Sequence, residues 1–165
     1  MNAKEGVFMS WDTILTCAVA VASIFISFIL GRLELRLSSR RSSYRERYEN
    51  LYVPYIKKLY RGFLWENSIK DMPSETRAAF LDLLSNHLEY LGRETQKSYP
   101  LFYHAFLCML EYDNGNPEYH TAPDEFERCF WDITFKILKE AQRLSRKLQL
   151  PDLTATISSK LSSNR

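Results

Sequence analysis

Glycine and proline are scarce, five and six among 165 residues. With 45% hydrophobic and 14% aromatic residues, that scarcity excludes a low-complexity or disordered chain. Cysteine is scarce too: Cys17, Cys108 and Cys129 leave at most one disulfide outside the apolar run that holds Cys17. A disulfide framework is therefore excluded, and a reducing compartment fits. Repeats of 20–50 residues are absent as well. So are the phosphate-binding patterns G-x-x-x-x-G-K and G-x-G-x-x-G and the nucleophile elbow G-x-S-x-G, which removes the commonest nucleotide and acyl-transfer signatures.

One absence is local. Thr13 to Gly31, "TILTCAVAVASIFISFILG", holds no charged side chain. Nineteen helical residues at ~1.5 Å each reach roughly 28 Å, enough for a hydrocarbon core of about 30 Å. Asp12 and Arg32 bracket the run, and Trp11 stands at the interfacial position. A buried soluble helix of this length would normally show a polar face. The small-x-small sites at Ala18–Ala20 and Ala20–Ala22 fall inside the run instead of after it, and no basic segment opens the chain, so cleavage is not expected. Leu15-Thr16-Cys17 fails as a lipoprotein site for the same reason: most of the apolar sequence follows the cysteine. An uncleaved anchor is expected.

Charge sets its direction. Arg32, Arg36, Arg40, Arg41, Arg45 and Arg47 crowd the far side of the run, whereas Lys4 is the one basic side chain before it. The positive-inside bias puts residues 32–165 in the cytoplasm, the N-terminus outside, and the protein in the inner or plasma membrane as a single-pass chain. The six arginines are the expected contacts to anionic lipid head groups, at about 1 kcal/mol each. Between 32 and 47 only Glu34 and Glu46 oppose them; the middle, 48–135, holds eight basic against fourteen acidic side chains; 136–165 is basic again, seven against two. Thr16, Ala20, Ser23, Ser27 and Gly31 recur at three- and four-residue spacing, a small-residue face through which two anchors could pair as a homodimer. Small residues are also common in anchors that pair with nothing.

The remainder has helical periodicity. Tyr44, Tyr48, Leu51, Tyr52, Tyr55, Leu59 and Phe63 share a face, which Pro54 is expected to kink or to end near Val53. A second helix, capped by Ser74, carries Phe80, Leu83, Leu84, His87, Leu88 and Leu91, with Gly92 at or near its end. "PLFYHAFLCML" is apolar nearly all round and predicts an enclosed, central helix. "EYDNGNPEYHTAPD" predicts the longest loop. Thr121 is expected to cap a last helix whose face is Phe126, Phe130, Ile133, Ile137, Ala141, Leu144 and Leu148, ended by Pro151. The fold class is thus all-α: one N-terminal transmembrane helix, then a small cytoplasmic bundle of about four helices. Its expected divisions are a short extracytoplasmic tail (1–12), the anchor (13–31), a basic juxtamembrane stalk (32–47), the bundle (48–150) and a disordered tail (151–165).

Chemistry is thin. His87 lies on an apolar stripe, as a core or interface histidine does. His104 and Cys108, with His120 and Cys129, could be imagined around zinc, but their spacing matches no compact ligand pair. Arg77 lies too far from Asn86-His87 for the spacing of helical ribonuclease domains. The carboxylates of the acidic middle have no partner pattern. Arginines interleaved with tyrosines in "RRSSYRERYENLYVPYIKKLYR" suit a membrane surface better than nucleic acid. No catalytic residue, metal or cofactor is expected. The function expected is a membrane-anchored, non-catalytic interaction or adaptor protein, which binds the bilayer and a protein partner but no nucleic acid. Tyr99, Tyr112 and Tyr119 on the acidic middle are the candidate partner contacts. The alternative is a pore-forming effector built on self-associating anchors, kept open by Thr16, Ser23 and Ser27; a helical-bundle enzyme is third.

Overall fold

The computed structural model describes residues 11–61, 68–155 and 157. Among them the chain is all-helical and holds no strand. In order come α1 (Trp11–Arg47), α2 (Val53–Arg61), α3 (Ser74–Ser85), α4 (Arg93–Asp113) and α5 (Ala122–Leu148). The chain divides into two units, Met1–Ser42 and Ser43–Arg165.

The first unit is the N-terminal part of α1. It contains the one helix, among the described residues, long and apolar enough to cross a membrane by length and composition. None of its apolar window is buried, and Val19, Ile24, Phe25, Phe28 and Leu30 all lie open. A soluble core helix would hide such side chains.

The second unit opens with the last residues of α1. A π-helical turn, Tyr48–Tyr52, then leads into α2, and the Val53 N–H donates to the Tyr48 carbonyl five residues back. Pro54 is the reason. It has no N–H for the Asn50 carbonyl, and its ring would press on that carbonyl in a regular α-turn. The expected break at Val53 is a change of pitch, and the chain stays helical through Pro54. Tyr48, Leu51, Tyr52, Tyr55 and Leu59 are buried as their periodicity predicts, with Ile56 beside them; Phe63 lies outside the described residues.

Four expectations need correction. Ser74 is not the cap of α3: Pro73 holds that position, and its carbonyl accepts from Thr76 and Arg77 at 3.0 and 3.2 Å. Nor does α3 reach Leu91. It stops at Ser85, whose hydroxyl bonds back to the Leu81 carbonyl at 2.8 Å. Leu88–Tyr90 forms a short 3₁₀ turn, leaving Leu88 exposed, and Gly92 precedes the next helix. α4 begins at Arg93, seven residues before Pro100, and is half-enclosed, not central: α5 is its main neighbour and α3 a lesser one. The long loop contracts, because α4 runs to Asp113 and a 3₁₀ turn forms at Pro117–Tyr119. Gly115, at φ 83°, makes the reversal that other residues rarely adopt.

α5 follows the sequence closely. All seven residues of its expected face are buried. Thr121 stands at the cap position but makes no cap bond; its hydroxyl reaches the Glu125 carboxylate at 3.4 Å instead. Gln149, left-handed at φ 58°, closes the helix, with Leu150 N–H on the Ser145 carbonyl at 2.9 Å. An aromatic cluster fills the centre: Phe130 meets Phe80 edge-on at 5.2 Å, and Phe102 stacks on Phe126 at 5.7 Å. Beyond Pro151, Thr154 and Ile157 are buried, and the Tyr60 hydroxyl donates to the Leu153 carbonyl at 3.2 Å. Residues 156 and 158–165 of the expected tail lie outside the described ones.

Candidate docking surface

Between Lys97 and Glu111 the chain carries no Asp, Glu, Lys or Arg. Helical spacing splits this stretch of α4 into two faces. Ser98, Phe102, Ala105, Phe106 and Met109 turn inward and are buried. Pro100, Leu101, Tyr103, His104 and Leu107 are exposed, Leu101 to 69%. A solvated helix normally places charge on its outer side. Here the outer side is apolar and aromatic, the composition of a surface that is covered in use.

The expected partner tyrosines contribute unequally. Tyr99 is half-buried, shares a 2.7 Å hydrogen bond with Ser85, and stacks on Tyr103 at 6.3 Å. Tyr112 is 43% exposed at the far end of α4, and Tyr119 is half-buried in the 3₁₀ turn. Tyr99 and Tyr112 are thirteen residues apart, about 20 Å along a helix. The contiguous surface is the row between them. Its signal in the sequence was the uncharged stretch, which periodicity alone read as buried.

On α1 the small residues Thr16, Ala20, Ser23, Ser27 and Gly31 are all exposed. The Ser23 hydroxyl donates to its own helix, at 2.8 Å from the Val19 carbonyl. A Cβ added at Gly31 would meet nothing within 4 Å. Arg32 lies over the Phe28 ring at 5.2 Å, and Arg36, Arg40 and Arg41 are exposed. Arg45 pairs with Glu49 at 3.4 Å. Arg47 departs from the head-group set. It is half-buried, and its Nε donates to the Tyr90 carbonyl at 2.9 Å.

That bond belongs to a polar latch. Glu140 on α5 accepts from the Tyr52 hydroxyl at 2.8 Å and from the Gly92 N–H at 2.9 Å. Burial, followed by the Glu140 charge, pushes the Tyr52 phenol above its ordinary range. A Cβ at Gly92 would run into the Glu140 carboxylate, so a larger residue there would have to push that side chain out of the latch. A buried charge, Arg77, pairs with Asp113 and donates to the Lys70 carbonyl at 3.3 Å, joining α3 to the end of α4.

Reactive groups are held, not poised. Lys136 Nζ donates to Ser98 Oγ at 2.5 Å and to Asp132 at 2.6 Å, and Ser98 donates to the same carboxylate at 3.0 Å. Lys136 chiefly holds Asp132 below the usual carboxylate range. A lysine that donates to both neighbours is no base for Ser98. The groove beside this cluster, about 320 Å³, is lined by Ser98, Leu101, Arg128, Cys129 and Asp132. Burial raises the Cys129 thiol, opposite to what a nucleophile needs. His104 Nδ1 and Cys108 Sγ lie 3.6 Å apart, but no group of three or more His, Cys, Asp or Glu among the described residues could hold a metal ion.

No family model matches the chain, nor does any curated protein or solved structure. The fold and surface define a class: an all-helical bundle with a long apolar N-terminal helix and an uncharged outer face on α4.

Proposed function

We propose that this chain is a membrane-anchored, non-catalytic interaction protein, an adaptor that presents α4 to a protein partner at the inner face of the cell membrane. The observation that carries the reading is the exposed row Leu101, Tyr103 and Leu107, which no charge interrupts. Residues 13–31 tether it, and the arginine asymmetry of residues 32–45 supports a cytoplasmic bundle with the N-terminus outside. Arg32, Arg36, Arg40, Arg41 and Arg45 lie on anionic head groups. Thr16, Ala20, Ser23, Ser27 and Gly31 form a seam for a second anchor, held chiefly by close packing because the Ser23 proton is already used within its helix.

The test is affinity capture of the full chain from solubilised membranes, beside Leu101→Glu/Leu107→Glu. The parent is expected in the membrane fraction after a high-salt wash, with a bound protein that the variant loses. Release by salt would refute the anchor. Identical capture by parent and variant would refute the α4 surface.

A further inference from the structure

We infer that the occupant of the α4 face is a second copy of α4, packed antiparallel about a twofold axis through His104. This rests on the reading of that face as a docking surface and names what covers it.

The argument is one of self-complementarity. Lys97 and Glu111 are exposed on the outer side of α4, fourteen residues and about 21 Å apart, each seven residues from His104. Fourteen residues is close to four helical turns, so both charges stay on one face. An antiparallel copy centred on His104 sets Lys97 against the partner helix's position 111 and Glu111 against its position 97. Opposite charges therefore meet twice. A parallel copy in register would instead set like against like at both ends.

The residues between obey the same symmetry. Position 101 opposes 107, leucine against leucine, both exposed. Position 100 opposes 108, and the exposed Gln96 opposes Tyr112, which is 43% exposed. In an isologous contact residue i meets j and j meets i, and this sequence satisfies that rule with a His104 pair on the axis, leucines on either side of it and a charged rim. Among the described residues Lys97 pairs with Glu94 one turn away, at 2.9 Å with both side chains 61% exposed, a pair of small worth that leaves it able to turn outward.

Size supports a copy in the same membrane. A single helix of twenty-one residues is about 31 Å long and presents less area than a standard stable interface. Such a contact is weak between free proteins. Confinement of both copies to one bilayer raises their effective concentration, as a linker does.

The experiment uses the full chain in native membranes, with Cys17, Cys108 and Cys129 changed to serine and His104→Cys as the single thiol. Mild oxidation is expected to give a disulfide-linked dimer, because the axis brings position 104 against itself. Lys97→Glu sets two pairs of like charges across the contact, as does Glu111→Lys, and each is expected to reduce crosslinking by about tenfold or more. The double swap Lys97→Glu/Glu111→Lys should restore it. So should co-expression of the two single variants, which pair with each other. Thermal melts of each variant exclude unfolding as the cause. Absence of the dimer in the parent, or crosslinking that ignores the four charge combinations, overturns the second copy. Neither result touches the capture of a different protein through Leu101 and Leu107, so the two readings fail separately.

Discussion

Replacing Glu140 by alanine removes a carboxylate that ties two parts of the bundle to α5. Its Oε2 accepts from the Tyr52 hydroxyl in the π turn at 2.8 Å and from the Gly92 N–H at the start of α4 at 2.9 Å. Hydrogen bonds to a charged group are worth about 1.5–3 kcal/mol each, so simple addition gives roughly 3–6 kcal/mol. The geometry reduces that sum. The Tyr52 hydroxyl lies 3.2 Å from the Tyr90 carbonyl and retreats to it when Glu140 is gone. Gly92 N–H has no such substitute among the described groups around it, and an unsatisfied donor costs about 1–3 kcal/mol. A net loss of about 2–3 kcal/mol follows. For a bundle of this size that is about 8–12 °C in Tm. Glu140→Gln keeps an acceptor oxygen and should lose about half as much. Tyr52→Phe added to Glu140→Ala should cost about 1 kcal/mol less than it does alone, because the two side chains no longer meet. Circular dichroism melts of the full chain in detergent give all four values. A Glu140→Ala melt within about 2 °C of the parent would refute the latch as a stabilising contact.

Two further outcomes follow from the core. Phe130→Ala removes a fully buried ring that touches Phe80, Phe102, Phe126 and Trp131, and should cost about 3–5 kcal/mol, a large part of a small bundle's stability; an unchanged melt would mean that the cluster does not hold the fold. Alkaline pH should destabilise the bundle, because Tyr52 and Tyr55 are both pushed upward, chiefly by burial. Their contribution is complete below the ordinary phenol value of about 10. It falls above it, where the unfolded chain gives up protons that the folded one keeps, by up to about 1.4 kcal/mol per pH unit per tyrosine. Denaturant midpoints read across that range should fall less steeply in Tyr52→Phe/Tyr55→Phe, and an equal slope would refute the assignment.

How much the sequence discloses depends on whether a feature is local. The α5 face was legible because Phe126 to Leu148 repeat at helical spacing with charges between them, and every residue of the row is buried. The tyrosine row around Tyr48, Tyr52 and Tyr55 was legible for the same reason. Helix ends were less so. Ser74 and Thr121 are good cap types, yet Pro73 takes one position and Glu125 takes the other hydroxyl. The latch was invisible, since Tyr52 and Glu140 stand 88 residues apart and nothing in either segment announces the other. Arg47 shows the consequence. By sequence it belongs with five other arginines, whereas the carbonyl of Tyr90, forty-three residues on, draws it into the bundle.

The α4 stretch explains why apolar residues alone do not identify a core. Periodicity measures how uniform a helix is around its axis and says nothing of how many neighbours arrive to cover it. Residues 98–110 are uncharged all round, and so is the run from Thr13 to Gly31. The first has α5 and α3 on its inner side and is open on its outer side; in the second, Leu15, Thr16 and residues 18–31 are all exposed. In each case the apolar surface exceeds what the fold itself covers, and burying such surface is favourable at about 25 cal/mol per Å² wherever a cover is found. For the anchor the cover proposed is lipid, because a charge-free length of roughly 28 Å matches a bilayer. For α4 lipid is the poorer match: Lys97 and Glu111 limit its uncharged length to thirteen residues, about 20 Å, with charges at both ends on the same face. That length and those ends fit another helix.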